Sequence, residues 1–389
     1  MNNILHMFHK WVGCLLPLAL FVPLHGAGAN SSFKLLYSFP GGALGAFPYS
    51  GLTRDASGNL YGTTYAGGGT GCHNGGGCGT VFKLKPDGTA KVLHVFKGGR
   101  GDGAYPMAGL IMDAVGNLYG TTSEGGNAGC DSGYGCGTVF KLKPGGKETV
   151  LYAFRGGSDG GNPYAGVIMD AKGNLFGTTL QGGMTCPPDS YGCGVVFKIS
   201  PEGTETVLYS FCQSQNCPDG AFPTGGLIAK NDNLYGTASQ GGNCVDGIFL
   251  GCGVVFRLAR DGTETVLYNF RGAADGQGPS AGVVADKAGN FYGTTACGGD
   301  CSSGAFGCGT VFKLAPDGTE TVLHSFQSGH DGDDPAAGVI LDAKDNVYRT
   351  TYAGGNTGCY MGEGCGTVFK VAPNGTETIS TPSRLTPMA

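Results

Sequence analysis

The sequence predicts an all-β chain folded as a six-bladed β-propeller, and three observations carry that expectation. The element GNLYGTT recurs with its first residue at Gly58, Gly116, Gly173, Asp232, Gly289 and Asp345, at spacings of 58, 57, 59, 57 and 56 residues. The element GTVF or GVVF keeps nearly the same period, ending at Phe82, Phe140, Phe197, Phe256, Phe312 and Phe369. Each repeat of about 57 residues holds four short runs of apolar and β-branched residues separated by Gly, Asp, Asn and Pro, and no segment shows a helical period. A fixed period over the whole chain decides the fold class, and four short strands per period make one blade.

Residues 1–29 stand apart. His9 and Lys10 precede an apolar run from Trp11 to Leu24, and Ala27-Gly28-Ala29 is a small-residue cleavage site, which predicts a secretory signal peptide. Residues 30–380 are then the propeller and 381–389 a short polar tail. The cleanest copy of the repeat, residues 106–154, reads in order: a first strand GLIMD from Gly109, a second NLYGTT, a third GTVFKL and a fourth ETVLYAF from Glu148. The chain opens with FKLLYSF (residues 33–39), which matches a fourth strand, and its last repeat stops at TETIS (residues 376–380). The expectation is that the N-terminal strand completes the sixth blade and closes the ring, leaving no open edge.

Up-and-down order places the tight turns on one face. The long second-to-third and fourth-to-first connections fall on the other, which makes that face the functional one. Fifteen Cys follow residue 29, and in a secreted chain these read as disulfides. Local pairs are expected at Cys72–Cys78, Cys130–Cys136, Cys186–Cys193, Cys212–Cys217, Cys244–Cys252, Cys301–Cys308 and Cys359–Cys365, with Cys297 left over. The gaps do not match zinc ribbons. Gly makes up about a fifth of the chain, against a usual share of roughly 7%; spaced by apolar runs, these residues read as turns and bulges. A net charge of −5 with no basic run argues against nucleic acid.

The combination GNLYGTT, GTVFKL, DGTETVLYSF and PxxGL resembles the GloVer tandem-repeat proteins, a secreted bacterial group with varied surface anchors. The resemblance covers about residues 48–378. It implies secretion, outside the cell or into the periplasm of a two-membrane bacterium, and a propeller-like repeat domain, without an activity. The DxxGNLY element is similar, more weakly, to NHL and gluconolactonase-type propellers.

Gly278-Pro279-Ser280-Ala281-Gly282 matches a nucleophile-elbow string but replaces PMAG, PYAG and PAAG of other repeats, so Ser280 reads as structural. Asp102, Asp159, Asp219, Asp275 and Asp331 recur in the fourth-to-first connections. Five carboxylates leading to a channel mouth can hold calcium or accept sugar hydroxyls, whereas the plainer reading makes each a turn cap. The run Asp331, Asp333 and Asp334 is the strongest metal candidate, with calcium as the ion. The basic residues of the third strands, from Lys83 to Lys370, read as packed stems. Loop aromatics Phe47, Tyr49, Tyr105, Tyr134, Tyr191, Phe222, Phe249 and Phe306 are binding candidates, since rings stack on sugars and anchor interfaces. Two functions follow: a secreted binding or adhesion propeller for glycan or protein, or a gluconolactonase-like hydrolase or lyase with a metal at the channel mouth. Departures of single repeats are modest (Arg349 for Gly, Cys297, the acidic run), which favours binding.

Overall fold

In the computed structural model the described residues are 35–380, apart from 73–74, 128–129, 131–132, 185–190, 245–250, 300–307, 356–363 and 365. The expected signal peptide, Cys186, Cys301, Cys359, Cys365, Phe249 and Phe306 therefore lie outside the described residues. Six sheets of four antiparallel strands follow one another in chain order. In blade 2 the strands are Ile111–Met112, Leu118–Thr122, Thr138–Leu142 and Glu148–Ala153. The sixth blade has Ile340–Leu341, Val347–Thr350, Val368–Val371 and Glu377–Ser380. No helix among the described residues is long and apolar enough to cross a membrane.

The repeated strings explain each element locally. In DAVGNLY, Asp113 Oδ1 accepts the N–H groups of Val115 and Asn117, while Oδ2 accepts Asn117 Nδ2 and the Tyr119 hydroxyl. One carboxylate thus fixes the first turn and the start of the second strand, as an Asx turn does. The same set recurs at Asp55 and Asp342. The fourth blade lacks that Asp and uses Asn231 and Asp232, both at positive φ (48° and 63°), which is a two-residue hairpin turn. The third strands are buried on both faces because blades stack against each other. Their Lys stems lie over the second-strand Tyr rings, as with Lys141 Nζ at 5.2 Å from the Tyr119 centroid.

Neighbouring blades are joined by a repeated pair of contacts. The hydroxyls of Thr63, Thr121, Thr178, Thr237 and Thr294 donate to the carbonyls of Ala108, Ala165, Gly225, Ala281 and Ala337 of the next blade. The fourth-strand Phe meets the next third-strand Phe edge-on, as in Phe154–Phe197 at 5.1 Å.

Closure of the ring corrects one expectation. The fourth strand of the sixth blade is the chain's own Glu377–Ser380, pairing Val371↔Glu377 and Phe369↔Ile379; residues 35–39 form no strand. The reason is local. ETI repeats the ETV start of the other fourth strands, and the tight turn between Ala372 and Thr376 closes this pairing over a far shorter loop than the N-terminus could. The N-terminal segment instead docks on blade 1. Phe39 meets Phe82 at 4.8 Å, the same contact that Phe96 makes with Phe140.

Disulfides join Cys72–Cys78, Cys130–Cys136, Cys212–Cys217 and Cys244–Cys252, and Cys297 is a free thiol. Cys193 and Cys308 are also disulfide-bonded.

Candidate functional site

The fourth-to-first connections all end in the same way. The residue before the repeated Pro sits at positive φ in every blade: Phe47 59°, Tyr105 56°, Asn162 54°, Phe222 56°, Gly278 67° and Asp334 52°. Its carbonyl accepts the backbone N–H of the residue just past the second strand, namely Tyr65, Ser123, Leu180, Ser239, Ala296 and Tyr352. A left-handed conformation costs a non-Gly residue roughly 1–2 kcal/mol, so these hydrogen bonds offset strain at five positions of one ring. The ring therefore holds two side-chain positions per blade at the entrance to the innermost strand.

Among the described residues, aromatic side chains take both positions in the first blade alone, and Tyr105, Phe222 and Tyr352 take one each in the second, fourth and sixth. Phe47 and Tyr49 stack at 6.1 Å, Tyr49 meets Tyr65 at 5.7 Å, and Tyr65 stacks on Tyr105 of the next blade at 4.8 Å. Burial first, then Tyr352 of the last blade, raises the Tyr49 hydroxyl, which puts Tyr352 near Tyr49 across the junction of the last and first blades. Phe47, Tyr49 and Tyr352 are 58%, 56% and 66% exposed, whereas Tyr105 is buried beneath Tyr65. Burial first, then the Glu124 carboxylate, pushes the Tyr65 hydroxyl up to about 12. The arc combines flat apolar rings with phenol hydroxyls that stay neutral, flanked by an acidic residue.

The five loop Asp residues turn outward, toward the fourth strands. Asp159 and Asp275 each accept a hydrogen bond from the Tyr of the preceding fourth strand (Tyr152 and Tyr268, 2.8 Å) and from the backbone N–H of Arg155 and Arg271, respectively. Asp219 does the same with Tyr209 and Gln213. Asp102 and Asp331 face His94 and His324 at 3.3 and 3.1 Å. They cap the exit of the outermost strand. In each case a Glu that opens the next blade's fourth strand lies alongside: Glu148, Glu205, Glu264, Glu320 and Glu377 each keep one buried carboxylate oxygen without a hydrogen-bond partner. Burial and then the neighbouring Asp push Glu205, Glu264 and Glu320 up to about 7.

Asp331 thus comes together with His324 and Glu377. Asp333 forms a backbone bridge to Ala353. The Asp334 acid is pushed up to about 6, by burial and then by Asp333, and its Oδ1 is buried without a partner. Phe222 packs half-buried against the core of blade 4. Tyr134 and Tyr191 are exposed on the long loops. Sequence reasoning missed Tyr65 and Tyr352. The signal was there: TTYAGG occurs in the first and last repeats alone, the two that ring closure makes neighbours.

A family model for the Gloeobacter/Verrucomicrobia repeat matches residues 26–250 and 244–384. No curated protein matches the chain by sequence. Among solved structures, a puromycin hydrolase S511A mutant is similar at TM-score 0.50 and 11% identity, over 88% of this chain and 46% of that one. A luciferin-regenerating enzyme reaches 0.48 at 12% identity over 88% and 95%. A gluconolactonase from Xanthomonas campestris reaches 0.42 at 16% identity over 76% and 79%. At such identities the likeness concerns the fold alone.

Proposed function

The chain belongs to the Gloeobacter/Verrucomicrobia repeat family, and we propose that this propeller is a secreted module that binds polysaccharide through the aromatic arc where its first and last blades meet. The arc itself carries the reading: Phe47, Tyr49 and Tyr352 present exposed rings on a rigid scaffold, with Tyr65 and Tyr105 stacked behind them. Rings held in this way lose little entropy on binding and offer both a flat apolar face and a hydroxyl, which suits the C–H face and edge of a sugar. The local disulfides support an oxidising destination.

The test is binding of the purified chain to a panel of soluble polysaccharides by affinity electrophoresis and calorimetry. Tyr49→Ala with Tyr352→Ala should weaken binding at least tenfold, while Tyr134→Ala with Tyr191→Ala should change it little. A wild-type chain that binds none of the panel, or an arc variant that binds as well as wild type, would refute the reading. Cleavage of the bound polysaccharide would replace it with the hydrolase alternative.

A further inference from the structure

The five outer-rim junctions are built to one plan but carry two chemistries. Where the fourth strand has Tyr, its O–H donates to the loop Asp; Arg155 and Arg271 bring a cation to two of these three sites, with Nε at 3.1 and 3.7 Å from Asp159 and Asp275. Where it has His, the Asp meets an imidazole nitrogen instead. At the last of these sites His324 Nε2 lies 3.1 Å from Asp331 Oδ1 and 3.7 Å from Glu377 Oε2. Gln327 stands where Arg155 and Arg271 stand elsewhere. Among the described residues no Lys or Arg pairs with Asp331 or Glu377, so two carboxylates face one imidazole without a fixed cation.

We propose that His324, Asp331 and Glu377 form a site for a zinc-like divalent ion at the junction of the fifth and sixth blades, and that His94, Asp102 and Glu148 form its twin at the junction of the first and second. The ligating atoms of each trio lie within 4.8 Å of one another. Ligands about 2.0–2.1 Å from a tetrahedral zinc stand about 3.3 Å apart, so the observed separations need only small side-chain rotations. One imidazole and two carboxylates neutralise a divalent ion and leave a position for water. This mixed donor set suits zinc, whereas calcium takes six to eight oxygens. Glu148 and Glu377 also each keep a buried Oε1 without a hydrogen-bond partner, while Glu377 Oε2 faces the imidazole. Three ligands come from two blades, so the ion would staple neighbouring fourth strands at the rim, far in design from the aromatic arc.

The Tyr junctions supply the control, because His→Tyr recreates an arrangement that the fold already holds three times. The full chain is equilibrated with zinc sulfate, desalted, and its metal content measured by mass spectrometry. The wild type should retain two zinc ions, His94→Tyr and His324→Tyr one each, and the double variant none, with circular dichroism confirming that all are folded. Zinc should also raise the melting temperature of the wild type and not of the double variant. No retained zinc in the wild type, a content that both substitutions leave unchanged, or calcium retained in place of zinc overturns the proposal.

Discussion

At the scale of single residues, the carboxylates of the first turns and those of the outer rim do opposite things. Those of the first turns are held below the ordinary range, Asp55 chiefly by Asn59; Asp170 and Asp286 are lowered by hydrogen bonds from Asn174 and Asn290, against the upward pull of burial. Their contribution to stability is present above the unfolded value near 3.8 and is lost as pH falls. The rim residues Glu205, Glu264 and Glu320 go the other way, from 4.5 to about 7, through burial and then the neighbouring Asp. A raised acid favours the protonated fold, so its contribution is complete below about 4.5 and disappears as pH rises toward 7. Melting temperature should therefore peak near pH 4–5 and decline by pH 8. The triple Glu→Gln variant should flatten that decline, and a parallel decline in both proteins would refute this account. None of it was legible from composition. Asp-Gly in a loop reads as a turn cap, and the sequence does not show that Tyr152, seven residues upstream, is the partner that draws Asp159 to the rim.

At the scale of the strand, the Gly in GNLYGTT is a packing feature, where the sequence suggested turns and bulges. A Cβ on Gly120 would stand 2.8 Å from Phe140 Cζ and 2.8 Å from Leu110 Cδ2, because the third-strand Phe lies flat across the second strand at that point. Gly120→Ala should cost about 1–3 kcal/mol by overpacking, measured by denaturant unfolding. The sixth blade breaks the rule with Arg349, paired opposite Phe369. Its Nε is buried without a partner, and burial lowers its affinity for a proton. Arg349→Gly should restore the common packing and raise stability by about 1–2 kcal/mol, part of it the cost of an unsatisfied buried donor. A variant less stable than wild type would mean that Arg349 has a role its hydrogen bonds do not reveal. The strands themselves were legible, since period and β-branched runs fix them; the reason for the mid-strand Gly needs the ring of the neighbouring strand.

At the scale of the whole molecule, six repeats were countable from the sequence, but the quality of the sixth junction was not. Five junctions carry a Thr hydroxyl to the next blade's carbonyl, whereas the matching Thr350 is exposed. Val368 is 48% exposed, although Val139 and Val311 at its place are fully buried. Those valines lie opposite the second half of a fourth strand, and in the last blade the described strand, Glu377–Ser380, reaches only the first half. The N-terminal segment fills part of the gap by standing where a fourth strand would against blade 1, with Leu36 near Gly88 as Leu93 is near Gly146. Among the described residues it makes no ladder with the sixth blade. Residues 35–39 and the strand Glu377–Ser380 thus share contacts that a single strand makes elsewhere, so this junction should open before the others. Hydrogen exchange should show it: amides of Val347–Thr350 should exchange well before those of Leu175–Thr179, which lie between complete junctions. Phe39→Ala should cost clearly less than Phe154→Ala, whose fully buried ring is worth about 3–5 kcal/mol. Equal protection in the two blades together with equal losses for the two Phe substitutions would mean that the sixth junction is sealed as firmly as the rest. The weak junction also holds the exposed aromatic arc, so a polysaccharide spanning Tyr49 and Tyr352 would bridge blades 1 and 6. It should slow exchange there more than anywhere else, and protection confined to other blades would separate the binding face from the ring's closure.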